Sequence, residues 1–218
     1  MTTINNHLSD AILMAYSAAT LPEAFSLMVA THISLCDECR ARVESFDAVG
    51  GAVLEETTVE TVKLSGDALA ATMALISAGA AEPAAPKPAR KASILPAPLQ
   101  DYVGGDVENI KWRSVGMGVK QAILPTSKAA SARLLLIPAG AAMPDHGHKG
   151  IEMTMVLQGA FIDDGERFGR GDVEIADSDL DHTPVADIGE DCICLAVTDG
   201  PLQFKSLLPK IAQPFLRI

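Results

Sequence analysis

A chain of 218 residues and 22.8 kDa suits one large domain or two small ones, with enough residues to bury a proper core. Its 48% hydrophobic and 21% charged composition excludes a disordered chain. The net charge of −11 argues against direct nucleic-acid binding, because phosphates would repel it. An acidic surface favours solubility, and it also permits competition for a partner's basic, DNA-facing surface.

Residues 1–80 hold a single proline, Pro22, and many good helix formers, and four helices are expected there. Ser9 or Asp10 caps a first helix carrying Ile12, Leu13 and Tyr16. Thr20 and Glu23 have capping-box spacing, and Pro22 suits the first turn of a second helix. On that helix Phe25, Met28, Val29 and His32 recur at helical spacing. A third helix is expected from Asp37 past Val43 and Phe46 to about Gly50, and a fourth over Leu64–Ala78. The segment carries ten acidic and three basic residues, a net of −7. Residues 81–98 are rich in alanine and proline with a few cations, the composition of an extended, semi-rigid linker. In residues 99–218, strand-like pieces are separated by turn signals such as Asp163-Asp164-Gly165 and Asp199-Gly200-Pro201. The pieces are Trp112–Val115, Gln121–Leu124, Ala132–Ile137, Ile151–Leu157, Asp172–Ile175, Cys192–Val197 and Gln203–Leu207. Many short strands at this spacing predict an all-β sandwich or barrel. The expected fold class is therefore a small all-α domain followed by an all-β domain.

The start of the chain has no basic n-region followed by an apolar h-region. Its longest weakly polar run, Ala68–Ala81, is short of the roughly 20 apolar residues a membrane span needs. A cytoplasmic protein without membrane association is expected. In that compartment a Cys-x2-Cys pair suits a metal or redox site better than a disulfide.

All five histidines fall into two metal-ligand patterns. The first is His7…His32-x3-Cys36-x2-Cys39. Positions 32, 36 and 39 lie at i, i+4 and i+7, so all three side chains can address one volume. His7 can supply a fourth ligand. Two thiolates and two imidazoles in a closed tetrahedron suit structural Zn2+, and such a site would tie the first three helices together. A dithiol switch without metal, or isolated buried thiols, remain open alternatives. Zinc and redox roles can coexist, because oxidising the thiolates ejects the metal.

Around the first pattern, His32-Ile-Ser-Leu-Cys36-Asp-Glu-Cys39 with the upstream His7 and the stretch Leu8–Leu27 resembles the zinc-binding anti-sigma domain. That resemblance covers about the first 80 residues. It implies a helical zinc domain that clasps an extracytoplasmic-function sigma factor and blocks its engagement with RNA polymerase.

The second pattern is Gly140-x5-His146-x-His148-x3-Glu152-x6-Gly159, with His182 arriving from a later strand. Strand alternation puts residues of equal parity on one face, so three imidazoles and a carboxylate can line the inner wall of a barrel. Zinc, manganese, iron or nickel all suit that set. The pattern resembles the first cupin motif over its full length, which implies a cupin jelly roll. The second cupin motif is partial. Gly169 stands where the family has proline, and His182 lies eleven residues past Gly171 rather than about three. Four protein ligands leave coordination positions open for chemistry on a small ligand, so a metal-dependent cupin enzyme of dioxygenase type is an alternative. Cys192-Ile-Cys194 puts two thiols on one strand face, either as core residues or as a redox-sensing pair; a disulfide across those positions would be strained.

A zinc anti-sigma domain, a linker and a cupin in that order resemble the ChrR group of anti-sigma factors. The resemblance implies that residues 1–80 sequester the sigma factor. It also implies that the cupin, residues 99–218, responds to singlet oxygen or a related oxidant, or to a small molecule. No catalytic residue is expected under that reading.

Overall fold

A computed structural model describes residues 3–56, 64–79, 93–177 and 182–204. Four helices occupy the first part: α1 (Asp10–Ser17), α2 (Glu23–Ile33), α3 (Asp37–Glu56) and α4 (Ala68–Ala78). Ser9 caps α1 as expected, its hydroxyl accepting the Ile12 N–H at 3.4 Å. The capping box expected at the next helix is not made. Pro22 occupies the cap position of α2, and Thr20 Oγ1 donates instead to the Ala15 carbonyl at 3.1 Å. The Glu23 carboxylate accepts from the Tyr102 hydroxyl at 2.8 Å and the Ser127 N–H at 2.7 Å. Tertiary partners outbid the local cap, so Glu23 pins α2 to the rest of the molecule.

Of the expected linker, residues 81–92 lie outside the described residues. Leu95 is fully buried and a short helix, α5 (Ala97–Val103), begins at its end. The Asp106 carboxylate accepts the Ile94 and Leu95 N–H groups at 3.1 and 2.9 Å, which fixes this entry to the β segment.

Eleven strands follow among the described residues: β1 (Arg113–Gly116), β2 (Val119–Ile123), β3 (Ser131–Ile137), β4 (His146–His148), β5 (Glu152–Gln158), β6 (Ala160–Asp163), β7 (Glu166–Gly169), β8 (Val173–Ala176), β9 (Val185–Ala186), β10 (Cys192–Thr198) and β11 (Leu202–Phe204). Every pairing is antiparallel. A six-stranded sheet runs β1-β2-β3-β10-β5-β8, a three-stranded sheet β7-β6-β9, and β11 pairs with β4. The two larger sheets close over a core of Val119, Ile137, Val156, Phe161, Phe168, Ala186, Cys192 and Cys194. Strands β4, β6, β7 and β9 and helix α5 were absent from the sequence-based list of elements, being short and weakly patterned. Of the expected last strand, Leu202–Phe204 is formed and residues 205–207 lie outside the described residues.

Over its central strands the outer face of the six-stranded sheet is covered. Leu134, Met153, Met155, Leu157, Leu195 and Val197 join Leu13, Leu27, Met28, Val29 and Leu99 in a second, larger core. Each such side chain contributes roughly 1.5–3 kcal/mol by leaving water. Helix α2 packs on β10, β3 and β5, so every residue of β10 is buried. A strand covered on both faces reads as a continuous apolar run, not an alternation.

The N-terminal segment is strapped across the barrel. Asp172 Oδ1 accepts the Asn5 and Asn6 N–H groups at 2.7 and 2.9 Å, and its Oδ2 accepts Gly169 N–H at 2.8 Å. The Val173 N–H donates to Asn6 O at 3.1 Å. Gly171 has φ +93° in this turn, and a Cβ there would lie 2.6 Å from Ile4 Cδ1. Only glycine permits both the left-handed backbone and the close strap.

Candidate metal centres

The strap and the α2–α3 junction bring His7, His32, Cys36 and Cys39 together, with ligand atoms within 4.8 Å of one another. Cys36 sits between α2 and α3, its N–H bonded to His32 O at 2.9 Å, and the Cys39 N–H donates to Cys36 Sγ at 3.4 Å. That places both sulfurs at the N-terminus of a 20-residue helix, whose dipole favours thiolate. His7 Nδ1 lies 3.3 and 3.5 Å from the two sulfurs. One tetrahedral ion at about 2.3 Å from sulfur and 2.0 Å from nitrogen would space such atoms about 3.5 Å apart.

His32 supplies the decisive fit. Its Nδ1 is 2.9 Å from the Gly171 carbonyl, which only accepts, so Nδ1 carries the proton. Burial pushes this imidazole down to about 4, so the ring is neutral. Its Nε2 therefore holds a lone pair, is fully buried, and has no hydrogen-bond partner among the described residues. Burial, then the neighbouring Cys36, pushes the Cys39 thiol up to about 11. A lone pair without a donor beside two crowded sulfurs calls for a cation in their midst. Arg42, paired with Asp10, approaches Cys39 Sγ at 4.0 Å from outside the cluster.

In the barrel, His146, Glu152 and His182 come together, and so do Asp163, Glu174 and His182. His146 Nδ1 donates to the Pro144 carbonyl at 2.8 Å and His182 Nδ1 to Asp163 Oδ2 at 2.7 Å. Both rings thus turn Nε2 toward the same volume, and these atoms are 3.2 Å apart. Two nitrogens about 2.1 Å from one ion at a right angle lie about 3.0 Å apart. Glu152 Oε2 is 3.8 Å from His146 Nε2. An outer carboxylate and carbonyl that hold each imidazole by its far nitrogen are the usual support of metal-binding histidines. Against burial, which opposes it, the Glu174 and Asp163 carboxylates, as acceptors for its ring, raise His182 to about 9. Without a metal, the pair of facing nitrogens would hold a proton.

The β segment matches the model of the ChrR cupin-like domain over residues 100–203. Over 217 residues the chain is 60% identical to the anti-sigma-E factor ChrR of Cereibacter sphaeroides, covering 99% of this chain and 100% of that protein. The chain belongs to the ChrR family. It also superposes on a crystal structure of Rhodobacter sphaeroides SigE in complex with the anti-sigma ChrR, with a TM-score of 0.75. That match has 58% identity and covers 90% of this chain and 99% of the other.

In this ChrR-family chain the distant His7 and the late His182 are both brought to their clusters by tertiary structure. The irregular spacing of His182 is resolved by a backbone bridge: its N–H and carbonyl pair with those of His146 at 3.1 and 3.2 Å. The backbone of His148 pairs with Leu202 in β4–β11; its side chain lies outside the described ones. Cys192 and Cys194 are buried on the inner sheet face, and both are free thiols. A hydrogen bond from Cys192 and complete burial push the Cys194 thiol well above its ordinary value, so it is held protonated.

Sequence reasoning missed Asp163, Glu174 and Arg133. Asp163 read only as part of a turn. Glu174 and Arg133 carried one usable signal, a charge inside an apolar strand. Burial raises the Glu174 carboxyl and lowers the Arg133 guanidinium.

Proposed function

We propose that this protein is a cytoplasmic anti-sigma factor. Its helical segment, residues 1–80, would sequester an extracytoplasmic-function sigma factor. Its cupin barrel, residues 99–218, would respond to singlet oxygen or a related oxidant by causing release. Zn2+ held by His7, His32, Cys36 and Cys39 would keep the helices in clasping shape. A divalent ion on His146, His148, Glu152 and His182 would serve sensing, supplying an open coordination position to an incoming ligand; zinc, manganese and iron all suit its donors. Cys192 and Cys194, buried on the same inner face with Cys194 held protonated, are slow to oxidise and serve as core residues.

The observation that carries this reading is an apolar surface left uncovered on the helical segment. None of the 11 residues of α4 is buried, and Leu69, Met73 and Ile76 form a stripe at helical spacing with 76%, 54% and 62% exposure. Val49, Val53 and Leu54 of α3 are exposed as well. Apolar surface of this extent marks a protein–protein interface, and the related ChrR of known structure is bound to a sigma factor. No helix among the described residues is long and apolar enough to cross a membrane.

The test is co-purification of the full chain with an extracytoplasmic-function sigma factor. A stable complex is expected, and it should be lost in a Cys36→Ser, Cys39→Ser chain. Equal complex formation by that variant would refute the zinc clasp. Substituting His146, His148 and Glu152 together should leave binding intact and abolish release by singlet oxygen; spontaneous release by that variant would refute the sensor assignment.

A further inference from the structure

Three features converge at one end of the barrel. A cavity of about 410 Å3 opens between the β2–β3 connection and the β10–β11 turn. Ile123, Ser131 and Thr198 line it, and strand alternation puts all three on the inner face, in phase with Val119, Ile137 and Cys194 of the barrel core. The cavity is therefore the barrel's mouth. Thr198 pairs with Ser131 on one side and with Glu152 on the other, so the mouth adjoins a proposed metal ligand.

Arg133 is the next inward-facing residue on β3, and it is 8% exposed. Its Nη2 donates to Ser131 Oγ at 3.2 Å, while its buried Nη1 has no hydrogen-bond partner among the described residues. A buried guanidinium nitrogen without an acceptor is costly. Its neighbour across the sheet is Ala196, whose side chain is a single methyl group. Glu152 is the charge that supports Arg133, and on ligating a divalent ion it would share that charge with the metal. At the rim, Lys128 is exposed, and Asp199 is engaged through Oδ1 with the Ile151 N–H at 2.8 Å.

We propose that the barrel mouth binds a small monocarboxylate, held by Arg133 beside the metal-ligand cluster. The planar guanidinium, with Nη1 free, matches the geometry and charge of a carboxylate. The inference rests on the metal-bearing reading of the barrel and adds to it the class of ligand that the sensor takes.

The experiment loads the full chain with Mn2+, which oxygen and imidazole donors accept and a Cys2His2 site does not favour. Manganese content is measured, and 13C-formate relaxation is followed as formate is titrated. A saturable relaxation enhancement is expected, displaced by acetate. Arg133→Met should weaken formate binding roughly ten- to a hundredfold at unchanged manganese content, and Arg133→Lys should fall between. A manganese-loaded parent without saturable enhancement overturns the carboxylate site alone, whatever the variants do. Equal formate binding by the parent and Arg133→Met overturns it too. A parent that takes up no manganese overturns the metal reading and this inference together.

Discussion

Replacing Asp172 by alanine tests whether the barrel holds the N-terminal metal cluster in shape. Asp172 is 3% exposed and its carboxylate accepts three backbone N–H groups, from Asn5, Asn6 and Gly169. Hydrogen bonds to a charged group are worth about 1.5–3 kcal/mol each. The Asn5 end is solvent-exposed and the three are not additive, so the expected loss is about 3–4 kcal/mol. The strap that would loosen carries His7, and the adjoining Gly171 carbonyl orients His32. Zinc transfer to a chromophoric chelator should therefore accelerate at least tenfold, in line with the effect of outer-shell losses on metal affinity. Urea unfolding gives the first quantity and stopped-flow chelation the second. A loss under 1 kcal/mol with an unchanged zinc-transfer rate would refute the idea that the barrel supports the cluster.

Leu69→Glu with Ile76→Glu on the exposed face of α4 should change stability by no more than about 0.5 kcal/mol yet abolish sigma-factor binding in a pull-down; retained binding would remove α4 from the interface. Asp163→Asn should lower metal affinity of the barrel site about 10–100-fold, read by competition with a chelator, while the N-terminal site keeps its zinc. Metal-free protein should show stability that falls on both sides of neutrality. His32 is held at about 4 in the fold against 6.5 unfolded, so the unfolded chain binds more protons between those values and stability drops as pH falls from 6.5 toward 4. That gap is worth up to roughly 3 kcal/mol. His182 is held at about 9, so its contribution is present below 6.5 and is lost as pH rises through about 9. Thermal melts of chelator-treated protein across pH 4–10 check both limbs, and a flat profile would contradict them.

Much of the architecture was legible in the chain. Cys36 and Cys39 lie close in sequence at the start of α3 and His32 sits in the last turn of α2, so their convergence needs only the short α2–α3 junction. The strands β3, β5 and β10 are long apolar runs, and their ends differ from the expected bounds by no more than one residue. The capping box at Thr20 failed because Glu23 found partners 79 and 104 residues away. No local rule weighs such partners.

By itself, the order of residues determined the two ligand sets and the helix-then-strand plan, because ligand type and periodicity are local properties. Tertiary structure decided the rest. It placed Asp163 and Glu174 behind His182, and it left the Arg133 guanidinium buried at the barrel mouth. It also brought the Gly171 carbonyl to His32, so that a turn of the barrel aims a ligand of the helical cluster. Those relations depend on strand register and on burial, and both are set only when distant segments compete for the same space and the same hydrogen bonds.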